Sequence, residues 1–79
     1  MTFDELLKEI KRISGKRFPE AALIQLPMVI SPQVQRKILN SGKSPEELAE
    51  IILKAIDLID RGSVEKVERL VERMLAAEK

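Results

Sequence analysis

The segment from Ser44 to Gly62 is capped like a surface helix and filled like a buried one. Ser44-Pro45 supplies an N-cap followed by proline in the first turn, Glu47 completes a capping box with Ser44, and Gly62 marks the stop. Between these ends Leu48, Ala49, Ile51, Ile52, Leu53, Ala55, Ile56, Leu58 and Ile59 cover most of the circumference, while Glu50, Lys54, Asp57 and Arg61 fall on one narrow stripe. Glu50–Lys54 and Asp57–Arg61 stand at i,i+4 in acid-first order, each worth ~0.3–0.5 kcal/mol as an exposed pair. A helix this apolar on nearly every side has to be surrounded by other elements. The chain has 79 residues in which to provide them, which bounds it to one domain over residues 1–79.

The surrounding elements read mainly as helices. Thr2-Phe3-Asp4-Glu5 has the form of a capping box, Phe3, Leu6, Leu7, Ile10 and Ile13 recur on one helical face, and Gly15 ends the run. Residues 16–31 admit two readings. Pro19 followed by Glu20-Ala21-Ala22-Leu23 opens a short helix that Pro27 closes; alternatively Leu23 to Ile30 is an extended run ending in the β-branched Val29-Ile30. The favoured combination is a helix from Pro19 to Gln25 followed by an extended segment over Leu26–Ile30. Ser31-Pro32 caps a further helix with Val34, Ile38 and Leu39 inward, ended by Asn40-Ser41-Gly42, and Ser63 caps a last one with Val64, Val67, Leu70, Val71, Met74 and Leu75 on its apolar face. The fold class is therefore mainly α: a small bundle of four to five short helices with a short extended segment near residues 26–30, completed by dimerisation.

Dimerisation follows from size and from what is missing. Cores below ~70–80 residues rarely supply more than ~3–5 kcal/mol without a disulfide, a metal or association. The sequence has no Cys and no His, so a homodimer is the expected remedy, with Leu48, Ile51, Ile52, Ala55, Ile56 and Ile59 as its core and seam. The alternative is a monomeric bundle that uses both faces of the central helix internally.

The same absences remove thiol nucleophiles, imidazole acid-base catalysis and the usual zinc ligands. Glu46, Glu47, Glu50, Asp57 and Asp60 are explained by a helix N-terminus and by surface pairing, and the boundary serines by capping. Ser41-Gly42-Lys43-Ser44 is similar to the end of a phosphate-binding loop but lacks that motif's first glycine and preceding strand. No enzyme activity, metal or cofactor is expected. Charge is more informative. The net value is +1, yet Met1–Lys43 carries eight cations against four anions and Ser44–Lys79 six against nine, a +4 half and a −3 half. Lys11, Arg12, Lys16 and Arg17 fall within seven residues at a helix C-terminus and the turn after it, and Arg36, Lys37 and Lys43 form a second basic group. Together these seven are the candidate phosphate contacts.

The stretch from Leu26 to Ile59 resembles the ribbon-helix-helix family of dimeric DNA-binding regulators. Met28-Val29-Ile30 matches its strand, Ser31–Leu39 its first helix, Gly42 its turn and Ser44–Ile59 its second, dimer-forming helix. The strand departs from the family in offering only Gln25 as a polar base-reading side chain and in containing Pro27, and the first helix is about a turn short, so the resemblance implies phosphate contacts near Ser44 rather than base reading. The expected function is a small non-enzymatic DNA-binding regulator or accessory factor, the alternative a helical adaptor subunit that binds a partner protein. The charged N-terminal turns and the lack of a long apolar run point to the cytoplasm and away from membranes. One Asn, three Gln and no Cys beside abundant Lys, Arg, Glu, Ile and Leu give a thermophile-like composition.

Overall fold

Three of the helices start where a hydroxyl side chain, that of Thr2, Ser31 or Ser44, bonds a first-turn amide. A computed structural model, which describes residues 1–77, shows α1 (Phe3–Ser14), α2 (Ala22–Val29), α3 (Pro32–Leu39), α4 (Pro45–Asp60) and α5 (Val67–Ala77), with 3₁₀ turns at Gly15–Arg17 and Val64–Lys66 and no strand among the described residues. Both expected capping boxes close. Thr2 Oγ1 accepts from Glu5 N at 3.2 Å while Glu5 Oε1 accepts from Thr2 N at 2.9 Å, and Ser44 with Glu47 does the same at 3.2 and 3.0 Å. Ser31 Oγ accepts from Val34 N at 3.5 Å. Gly15 ends α1 with φ +63° and ψ −127°, a backbone that a side chain would strain. Ser63 departs from expectation: it makes no side-chain cap, because the 3₁₀ turn intervenes and its carbonyl accepts from Lys66 N instead.

α4 is the spine. Its 16 residues span ~24 Å of a body measuring 29 × 26 × 20 Å, and α1 and α5 both pack along it. Leu48, Ala49, Ile51, Ile52, Ala55 and Ile56 are buried, and Leu53, Leu58 and Ile59 are half-buried against the core. The central position is as expected, but the assignment of its apolar face to a dimer seam is corrected. Leu48, Ile51, Ile52, Ala55 and Ile56 are enclosed within one chain, and Ile59 sits at the edge of the same core. The burial demand that seemed to call for a second copy is met by α1 and α5. Of the two i,i+4 pairs, Asp57–Arg61 closes at 3.1 Å, while Glu50 and Lys54 do not pair.

Residues 26–29, marked as extended by Pro27 and the Val29-Ile30 pair, are helical, and only Ile30 takes an extended backbone (φ −94°, ψ 121°). The strand implied by the ribbon-helix-helix resemblance therefore has no counterpart at Met28 and Val29. The expected start at Pro19 also moves, since residues 19–21 form a turn and the helix proper begins at Ala22. The reason is the burial period. Phe18, Ala22, Leu26 and Ile30 are buried at every fourth residue, whereas an inward strand face would carry Met28 between Leu26 and Ile30. Pro27 leaves the Leu23 carbonyl without its i+4 donor, and the end of the helix is held from outside: Gln35 Nε2 donates to the carbonyls of Pro27 (3.1 Å) and Ile30 (2.8 Å).

In α1 the buried stripe runs Leu6, Ile10, Ser14, leaving Ile13 partly exposed. The Ser14 hydroxyl is buried and no protein group donates to it or accepts from it. Removing an unsatisfied buried hydroxyl recovers its desolvation cost, ~1 kcal/mol at the low end. Ser14→Ala is expected to raise the thermal midpoint by about 4–8 °C, checked by calorimetry; an unchanged or lowered midpoint contradicts the assignment.

α5 clasps α3 with two carboxylates one turn apart. Glu68 accepts from Ser31 N at the start of α3, and Glu72 Oε2 pairs with Lys37 Nζ at 2.6 Å. The Ser31 amide holds the Glu68 carboxyl below its ordinary value of 4.5, and the Thr2 amide does the same for Glu5. A carboxyl depressed in the folded state contributes stability above the unfolded value and loses it as pH falls through the folded one. The wild-type melting temperature is therefore expected to fall as pH drops below about 4.5. Because Glu68 is partly solvated, Glu68→Gln lowers it only slightly at neutral pH, and the gap to wild type narrows in acid as the wild-type carboxylate is protonated; a gap independent of pH would show that the charge is not engaged.

Candidate nucleic-acid interface

The face of α1 opposite its buried stripe carries Lys8, Lys11 and Arg12, and the 3₁₀ turn after Gly15 adds Lys16 beside them. These four cations, with Gly15 and the edge of Phe18, line one open depression of about 550 Å³. Lys11 Nζ donates to the Phe18 carbonyl at 3.3 Å, which ties the turn back to the helix. Arg12 is paired with Glu9, and among the described residues neither Lys8 nor Lys16 has an ion-pair partner. The carbonyl end of the α1 dipole offsets part of the repulsion among the four.

Three of the four residues in the first predicted basic group are thus together: Lys11, Arg12 and Lys16. Arg17 is not with them. It points to the other side, into a recess lined by Leu53, Ile56, Asp57 and Asp60. Nor does the second group join. Lys37 is engaged by Glu72, Lys43 lines a recess with Glu47, Glu50, Ile51 and Met74, and Arg36 is exposed on α3. The acid-rich half of the chain folds against the basic half, pairing Glu72 with Lys37 and placing Asp57 and Asp60 in the recess with Arg17 and Glu47 and Glu50 in the one with Lys43, while Arg36 is set apart by its place on α3.

Two features escaped the reading by linear clusters. Lys8 belongs to the depression through helical spacing with Lys11 and Arg12. On α5 and the turn before it, Lys66, Arg69 and Arg73 stand at i, i+3 and i+7 and line, with Leu58 and Leu70, a groove of about 320 Å³, although this half of the sequence is net acidic.

Glu46, Glu47, Glu50, Asp57 and Asp60 are all exposed, so water screens them and no dry pocket prepares one as an acid or base. Among the described residues no three carboxylates gather as a metal site would need, and no helix is long and apolar enough to cross a membrane. No protein-family model, curated protein or solved structure shows a significant match to this chain.

Proposed function

We propose that this chain is a small non-enzymatic DNA-binding regulator or accessory factor that grips phosphates with Lys8, Lys11, Arg12 and Lys16, acting as a pair of copies. The observation that supports it is the convergence of four cations, of which only Arg12 is held in an ion pair among the described residues, on one open depression. Flexible lysines around a shallow surface neutralise phosphates without reading base edges, so binding is tolerant of sequence. Three or four neutralised phosphates give a salt slope of about −3, a non-specific affinity in the 10⁻⁴–10⁻⁶ M class, and roughly fifty-fold weakening between 50 and 200 mM salt. Fluorescence anisotropy with a labelled duplex and a labelled single strand tests this. Absence of binding to both at the lower salt ends the proposal.

A second reading, an adaptor that binds a partner protein, draws on the groove at Leu58 and Leu70 with its three flanking cations. It is favoured if both nucleic acids fail to bind while Leu70→Glu abolishes capture of an acidic amphipathic peptide.

A further inference from the structure

We propose that the outward stripe of α2 is a two-fold interface through which two copies of this chain pair. The inference rests on the two-copy element of the proposed function and relocates it from α4, whose apolar face is filled internally. α2 is apolar on opposite sides. Ala22 and Leu26 face the core, while Ile24 and Met28, one turn apart, are 70% and 80% exposed, well above Ile13 at 38% and Val64 at 43%. An apolar side chain left so open on a helix whose other side is buried asks for a cover.

Charge argues that the cover is a second copy. Charged residues make up 34% of the sequence, yet none occurs from Ala21 to Gln35. The exposed part of that stretch is Ala21, Ile24, Gln25, Met28, Pro32 and Gln33. A two-fold axis brings each residue near its own copy, so a patch of one charge sign repels itself and an uncharged patch does not. Gln25 and Gln33 fit the same scheme, because a carboxamide is both donor and acceptor and can pair with an identical group. Depletion of charge and enrichment in Met are also what the centre of an interface shows. The patch is two turns of helix, below the size of a standard interface, so the expected dissociation constant is weak, on the order of tens of micromolar.

Sedimentation velocity from about 10 μM to about 1 mM, bracketing that affinity, is the test. The wild-type mass should rise from 9.0 kDa towards twice that value, and Ile24→Lys/Met28→Lys should stay at the lower mass with unchanged far-UV circular dichroism. A wild type that remains monomeric throughout, or a double variant that pairs like wild type, overturns the proposal. Should the double variant lose helicity, the absence of cysteine from the sequence supplies a second test. Oxidised Met28→Cys is expected to form disulfide-linked pairs efficiently and Glu65→Cys is not; equal cross-linking overturns the interface. Neither substitution touches the four cations of α1 and its following turn, so duplex titration separates failure of the phosphate site from failure of this surface.

Discussion

Replacing Phe18 with Ala is expected to abolish cooperative folding at room temperature. Phe18 is 1% exposed and follows directly on the turn that closes α1, with its amide donating to the Gly15 carbonyl at 3.2 Å and its own carbonyl accepting from Lys11 Nζ. Truncating a buried Phe to Ala costs ~3–5 kcal/mol through lost transfer energy and the cavity left behind. A single core in a chain this short supplies about the same amount. The substitution therefore removes roughly the whole margin, and far-UV circular dichroism with urea titration should show a gradual, non-cooperative loss of helix. Phe18→Leu keeps most of the volume and should cost about 1.5 kcal/mol or less, leaving a sigmoidal transition at lower urea. A Phe18→Ala protein that melts within a few degrees of wild type would mean that the centre of the core lies elsewhere.

The contrast between Phe18 and the helix ends shows what the sequence makes legible. Caps are local: Thr2 with Glu5 and Ser44 with Glu47 need only three residues of spacing, and both bonds form as read. The long apolar run of α4 is similarly plain. Residues 19–30 were obscured by a rule that is correct on average, that proline and β-branched residues disfavour helix, and here burial overrides it. The overriding signal is present as a count of fours: Leu6, Ile10, Ser14, Phe18, Ala22, Leu26, Ile30, Val34 and Ile38 are all buried. Two of its members, Ser14 and Ala22, carry little hydrophobic weight, so the series does not stand out. The site was harder for a different reason. The carboxylate that engages Lys37 is 35 residues away at Glu72, and Arg17 comes to line a recess with Asp57 and Asp60 only after α4 has docked. Sequence clusters register cations, whereas only the fold shows which cations have been answered by acids.

That distinction gives the functional test its sharpest form. Lys8→Ala/Lys11→Ala/Lys16→Ala removes three positive charges from the α1 depression, and Arg17→Ala/Arg36→Ala/Lys54→Ala removes three from positions outside it. Both proteins have the same formal net charge, so any difference in duplex binding comes from placement. All six side chains reach solvent, and surface substitutions of this kind usually shift stability by about 0.5 kcal/mol or less each, with about 1 kcal/mol expected for the Lys11 bond to the Phe18 carbonyl, which circular dichroism can verify before binding is measured. If the depression holds phosphates, each lost contact removes about 0.9 from the slope of log K against log salt. The first variant should then fall from a slope of about −3 to near zero, with an affinity at 50 mM salt roughly a hundredfold weaker. The second should keep its slope and lose no more than a few-fold. Equal loss in both variants would show that duplex DNA responds to net charge alone, and the convergence of Lys8, Lys11, Arg12 and Lys16 would then reflect only the preference of cations for the carbonyl end of a helix.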